Sequence, residues 1–114
     1  MVSEFFHRKI LFVNICKFVS LSLGVGLPPA VIQQYALQLV QALCYLSTRQ
    51  SRVIHCDLKP ENILIADLEH KIVKVGDFGS ACWLSQAVTG SYIQSRWYRS
   101  PEVLLSMPFG QPIE

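Results

Sequence analysis

The chain has 114 residues, 51% of them hydrophobic, which places it among globular sequences with room for one small core and one domain at most. Ten Lys and Arg against eight Asp and Glu leave a formal charge of +2, so no bulk positive field of the kind that binds nucleic acid or a membrane surface is present. Function must therefore reside in a specific site.

Residues 1–27 form an apolar start in which "ILFVNICKFVSLSLGVGL" follows the basic "HRK", as in an export signal. Asn14 and Lys17 interrupt the run and no small-x-small cleavage site precedes Leu27, so a buried strand or helix is expected. A small secreted or membrane protein is the alternative that this run supports, although no membrane association is expected from the rest. The four cysteines, Cys16, Cys44, Cys56 and Cys82, show no CxxC pair and no His at metal-ligand spacing. Reduced thiols in the cytoplasm or nucleus fit this scatter, with a disulfide framework as the secreted alternative.

From Pro28, "PPAVIQQYALQLVQALCYLS" sets Ile32, Ala36, Leu39, Leu43 and Leu46 at helical steps, with prolines suited to a first turn. Gln33, Gln34, Gln38 and Gln41 fall largely off that stripe and are expected to face solvent. Two aliphatic runs, Ile63 to Ile65 and Ile72 to Val75, read as short strands around the polar turn "ADLEHK". Glycines, serines and prolines then break the pattern, so residues 76–102 read as loop with short extended pieces before a helix at "PEVLLS".

Between the helix and the first strand lies "VIHCDLKPENILI", with Asp57, Lys59 and Asn62 set between aliphatic runs. A base to orient a hydroxyl, a cation to neutralise a moving phosphate and an oxygen ligand for magnesium are the parts that phosphoryl transfer requires. Asp57, Lys59 and Asn62 supply one of each, and the strand pair can fold Asp77 of "VGDFG" back beside Asn62 as a second metal ligand.

"HCDLKPEN", "DFG" and "SPE", in that order with Arg96 and Tyr98 before the last, resemble the catalytic loop, magnesium motif and activation-segment end of eukaryotic protein kinases. The Cys of "HCDLKPENIL", the Ser of "DFGSAC" and "SYIQSRWYRSPEVLL" are most similar to the dual-specificity tyrosine-regulated (DYRK) family. The resemblance covers residues 28–114; residues 1–27 stay unassigned. It implies an α+β kinase-like fold limited to the upper part of the C-terminal lobe: one long helix, catalytic loop, short β-hairpin and activation segment. The nucleotide lobe and the lower C-terminal lobe are expected to be missing, making this chain a fragment. "GVGLPPAV" imitates a phosphate loop through Gly24 and Gly26, but Pro29 stands at the third glycine and no strand lysine follows.

The implied activity is transfer of the ATP γ-phosphate to Ser or Thr of a protein substrate, with ATP and Mg2+ as cofactors and no nucleic acid partner. Asp57 would be the base, Lys59 would contact the transferred phosphate, and Asn62 and Asp77 would bind magnesium. Glu61 would line the cleft, Leu64 with Ile63 and Ile65 would lie beneath the adenine, and His55 and Phe78 would stack in a spine between the lobes. Cys56 stands where most kinases carry an Arg that holds a phosphorylated loop, and a thiol cannot pair with phosphate. Tyr92 stands at the family's autophosphorylated tyrosine, Gly90 at the first Tyr of a Tyr-x-Tyr pair, and Arg96 and Arg99 become the expected phosphate partners. Glu114 stands where an Asp is usual. The alternative is a catalytically inactive truncated kinase-like protein that acts by protein binding; the oligomeric state is not encoded in these motifs.

Overall fold

The computed structural model of the chain describes residues 13–21, 26–48, 50–87 and 92–114; residues 1–12, Gly24 and Gly90 lie outside the described residues. The apolar start does form a strand and a helix, β1 (Val13–Asn14) and α1 (Ile15–Leu21). Asn14, which interrupts the apolar run, accepts the Lys17 N–H at 2.8 Å through its side-chain oxygen and so caps α1.

The long helix α2 spans Pro29–Leu46, with Pro28 at its N-cap and Pro29 in the first turn, where a missing N–H costs no helical bond. Its buried face differs from the expected stripe. Tyr35 is 3% exposed, whereas Ile32 is 52% exposed and Ala36 is also exposed; Leu39, Leu43 and Leu46 are half-buried. Apolar residues occur almost all round this helix, so periodicity alone could not choose the face, and the packed sheet takes Val31 and Tyr35 together with the expected Leu39. Gln38 also departs from its expected solvated position. Its side chain accepts the Val73 N–H at 3.0 Å and donates to the Lys71 carbonyl at 2.9 Å.

After α2, the short strand β2 (Val53–Ile54) leads into the polar loop, followed by β3 (Ile63–Asp67) and β4 (Ile72–Val75). The β3–β4 hairpin is antiparallel, with Ile63 opposite Val75 and Ile65 opposite Val73 and a register irregularity between Ile65 and Asp67. Asp67 closes its turn by accepting the His70 N–H at 3.0 Å and pairing with the His70 ring at 2.8 Å. β1 adds to the other side of β3, giving the sheet order β1-β3-β4, with β4 at an edge among the described residues. A second two-stranded sheet pairs β2 with β5 (Cys82–Trp83), and the short helix α3 (Pro101–Leu104) begins at the expected "PEVLLS".

Burial divides into two clusters. Tyr35, Ile63, Ile65 and Val73 pack under α2, while Ile54, Cys56, Val103 and Ile113 pack where the loop after β2 meets the chain's last residues. The polar loop of residues 55–62 runs from one cluster to the other, so both cores hold it in place. No described helix is long and apolar enough to cross a membrane.

The hairpin offers a matched pair of identical deletions. Ile65 is 1% exposed and Ile72 39% exposed. Ile65→Val should cost about 0.5–1.5 kcal/mol of unfolding free energy, and Ile72→Val clearly less, as read from urea midpoints at constant m-value. Equal losses would mean that the hairpin does not pack as described.

Candidate active site

The site grows from the loop that leaves β2. Ile54, His55 and Cys56 are almost completely buried, and Cys56 takes a left-handed backbone conformation with φ 66°. The buried amides of His55 and Cys56 both donate to the Glu114 carboxylate, the second at 2.9 Å. Burial pushes the Glu114 carboxyl up, and these two N–H bonds oppose that rise. The His55 ring is fixed at both nitrogens: Nδ1 accepts the Asp57 N–H at 3.2 Å, which leaves Nε2 to donate to the Gly76 carbonyl at 2.9 Å. Its edge also meets the Phe78 ring with centroids 4.7 Å apart.

Asp57 is the hub. One carboxylate oxygen, Oδ1, accepts the Ser95 hydroxyl at 2.6 Å and the Ser95 N–H at 3.1 Å. The other, Oδ2, accepts Lys59 Nζ at 2.8 Å and Asn62 Nδ2 at 3.2 Å, while Asn62 Nδ2 also reaches the Asp57 carbonyl at 2.8 Å. Lys59 Nζ closes the ring by donating to Ser95 Oγ at 2.7 Å. Burial alone would raise the Asp57 carboxyl, but the bonds from Lys59, Ser95 and Asn62 outweigh it and hold the group below its ordinary 3.8. The Lys59 ammonium is raised in turn, first by its bond to Asp57, against desolvation, and further by the charges of Glu61 and Asp77. An ionised carboxylate that accepts a hydroxyl at this distance has the reach of a general base.

Asp77 arrives from the hairpin. The Gly76 N–H donates to the Asn62 carbonyl at 2.8 Å, so the end of β4 lies against the turn formed by Pro60–Asn62. A Cβ on Gly76 would stand 2.6 Å from the end of the half-buried Leu64 side chain, which would have to shift to admit it, and 3.7 Å from the Asn62 carbonyl. Asp77 itself sits at φ 56° and accepts the Gly79 N–H at 3.2 Å. Among the described residues, no three His, Cys, Asp or Glu side chains form a metal cluster. A hard cation that takes one or two protein oxygens, the rest from water and phosphate, fits the donors present. Asn62 spends its amide nitrogen on Asp57, leaving its oxygen for such a cation, and Asp77 brings an exposed carboxylate.

The later segment wraps this centre. Gln94, with φ 64°, donates its N–H to the Cys56 carbonyl at 3.0 Å and receives the Ser100 N–H on its side-chain oxygen at 2.8 Å. Arg99 donates through Nε to the Ile93 carbonyl at 2.9 Å and through Nη2 to the Gln94 carbonyl at 2.8 Å. Its guanidinium also lies 4.1 Å from the centroid of the Tyr92 ring, and Tyr92 is 87% exposed. The Tyr92 hydroxyl is held below its usual range, first by its bond to Arg99, with the Arg96 charge adding. Arg96 itself lies over Trp97, at 5.2 Å. Burial pushes the Cys56 thiol up to about 12, helped by a bond to Cys82, whose sulfur stands 3.7 Å away.

Asp57, Lys59 and Asn62 are therefore joined directly, and Asp77 is delivered to the same neighbourhood through Gly76. Glu61 is exposed on the turn and Leu64 is half-buried on β3. Tyr92 pairs with Arg99, whereas Arg96 stacks elsewhere. Sequence reasoning missed Ser95, the hydroxyl bonded to Asp57, and also the Cys82 contact and the Gln94 junction. Ser95 sat in plain view within "SYIQSRWYRSPEVLL", but nothing in linear spacing ties it to a residue 38 positions earlier.

An α+β scaffold that gathers a catalytic loop, a hairpin-borne carboxylate and a wrapping segment defines a class, the kinase-like fold. The protein kinase domain family matches residues 1–114. The serine/threonine-protein kinase ppk15 of Schizosaccharomyces pombe is 41% identical over 121 aligned residues, covering 100% of this chain and 22% of that protein. The DYRK-family kinase pom1 of the same organism is 53% identical over 89 residues, covering 78% of this chain and 8% of that protein. The chain belongs to the protein kinase family and spans under a quarter of the length of either of these relatives.

The hub makes a titration test. Because the folded pKa of Asp57 lies below its unfolded value, its stabilising contribution is complete above the unfolded value and is lost as pH falls through the folded one. Lys59→Met and Ser95→Ala should each raise the Asp57 carboxyl, the lysine change by more, as followed by carbon NMR of labelled aspartate. A titration unchanged in both variants would remove Asp57 from the centre of the network.

Proposed function

We propose that this chain is part of a DYRK-like protein kinase that transfers the γ-phosphate of ATP to Ser or Thr hydroxyls of a protein substrate. The observation that carries the reading is the Asp57 carboxylate, whose Oδ1 accepts a hydroxyl at 2.6 Å while Lys59 Nζ bonds both that hydroxyl oxygen and the carboxylate's other oxygen, Oδ2. Asp57 orients the attacking hydroxyl and receives its proton; Lys59 faces the charge that develops on the transferred phosphate. Asn62 and Asp77 would hold magnesium, which would supply charge neutralisation to the phosphate oxygens. Glu61 and Leu64 line the nucleotide side. Free thiols on all four cysteines support a cytoplasmic or nuclear setting.

The family match runs over residues 1–114, and in this reading residues 28–114 carry the recognisable motifs of a partial catalytic domain, while positioning of ATP depends on a nucleotide lobe and lysine beyond these motifs. The 114-residue chain alone should therefore give no turnover with magnesium, labelled ATP and a generic basic protein; incorporation above that of Asp57→Asn would refute the fragment reading. In a kinase that carries this segment with its flanking lobes, Asp57→Asn and Asp77→Asn should each remove nearly all transfer while still unfolding in one cooperative transition, with Asp57→Asn lowering the melting temperature because it removes the charge at the hub. Oriented acid–base groups alone contribute about 10²- to 10⁴-fold. Near-normal activity of Asp77→Asn with magnesium as the only metal would contradict the assignment of that ligand.

Tyr92 is the self-modified residue in this reading, and its exposure and its guanidinium neighbour support it. A phosphate there would bring about −1.5 to −2 charges to Arg99 and Arg96. In the kinase with its flanks, mass spectrometry should find phosphate on Tyr92 in active protein and none in Asp57→Asn. Tyr92→Phe should lower activity while keeping the ring under Arg99, and Arg99→Ala should lower it further, since it also frees the Ile93 and Gln94 carbonyls. An unmodified Tyr92 in fully active enzyme would dismiss the switch.

A further inference from the structure

The Gln38 carboxamide does the work of a neighbouring strand. Among the described residues β4 is an edge of its sheet, and an edge presents N–H and C=O groups with no strand partner. Gln38 donates from Nε2 to the Lys71 carbonyl at 2.9 Å and accepts the Val73 N–H at Oε1 at 3.0 Å. Donating to one residue's carbonyl and accepting from the N–H of the second residue along is the pattern by which a single strand residue, through its own N–H and C=O, pairs with a parallel neighbour, here spanning Ile72. Nε2 also bonds the Gln34 carbonyl on α2 at 3.2 Å, which fixes the amide's orientation on the helix.

The hairpin needs such a fastening at this end. Its register is irregular between Ile65 and Asp67, beside the turn, whereas its other end is secured by Gly76 N–H on the Asn62 carbonyl. A slip of one residue along β4 would turn every side chain of the strand to the opposite face. Asp77 follows β4 after one residue, so its place relative to Asn62 depends on that register.

We infer that Gln38 is a positioning residue for the magnesium ligands: its side-chain amide, bridging Lys71 O and Val73 N, sets the register of the strand that delivers Asp77 to Asn62. This rests on the kinase reading given above. The test compares Gln38→Met, which removes both bonds at similar length, Gln38→Glu, which keeps the acceptor and loses the donor, and Gln41→Met, the same change on an exposed position of α2. Amide hydrogen exchange at Val73 in this chain should speed up about tenfold in Gln38→Met and little in Gln38→Glu or Gln41→Met. In the kinase with its flanks, Gln38→Met should raise the magnesium concentration needed for half-maximal rate while leaving KM for a peptide substrate unchanged. A merely structural role would lower the melting temperature and the active fraction without moving the magnesium dependence, and that result, or unchanged Val73 exchange, overturns the inference. Full activity of Asp77→Asn would instead defeat the kinase assignment of the metal ligand, so the two failures are distinguishable.

Discussion

The polar contacts that join the loop of residues 55–62 to the segment around residue 95 are arranged around the need to keep the Asp57 carboxylate ionised in a partly buried place. A charge removed from water is costly unless hydrogen bonds replace its hydration. Four donor groups from three residues do so here, and they come from the loop itself and from the segment around residue 95. The two segments are held together by their shared solvation of one anion as well as by apolar packing. A half-satisfied version of the network would be worse than none, which explains why Ser95 uses both its N–H and its hydroxyl.

The backbone carries strain at the same place. Cys56, Asp77 and Gln94 are non-glycine residues with φ of 66°, 56° and 64°, and each lies where one segment turns towards another. Such conformations persist only where surrounding bonds over-determine them. Glu114 holds the Cys56 N–H and Gln94 holds the Cys56 carbonyl; Gly79 bonds back to the Asp77 side chain; Arg99 and Ser100 fasten Gln94. Glu114, near the last residues, thus reaches the catalytic loop through its carboxylate, and its extra methylene relative to the usual Asp does not prevent the bond.

Local signals were legible wherever one segment determines its own shape. The β3–β4 hairpin, the start of α2 and the helix at Pro101 follow from aliphatic runs and prolines that need no partner to be read. The joining of Asp57, Lys59 and Asn62 follows from their closeness in one loop. What the sequence hides is what depends on a second segment: which face of an apolar α2 meets the sheet, why Gln38 leaves the solvent, and how Ser95 comes to Asp57. In each case a polar or amphipathic side chain has two acceptable environments, and only the packed neighbour chooses between them.

The surroundings of Tyr92 bear on what a phosphate could change. Arg99 already donates to the Ile93 and Gln94 carbonyls, so it braces the backbone just before Ser95 without any phosphate present. Its guanidinium lies over the Tyr92 ring, 4.1 Å from the centroid, and also acts on the hydroxyl, which it holds below its usual range. A phosphate on the hydroxyl would draw the remaining N–H donors of Arg99 outward, exchanging a cation–π contact for charge-assisted bonds while the two carbonyl bonds can stay in place. Modification would then tighten a segment that is already folded, and the arginine would matter in both states. Arg96, which rests on Trp97, makes no comparable backbone bond among the described residues and is the side chain that can move towards the new charge. The two arginines, equivalent as expectations from spacing, are in this geometry a permanent brace and a recruitable cation.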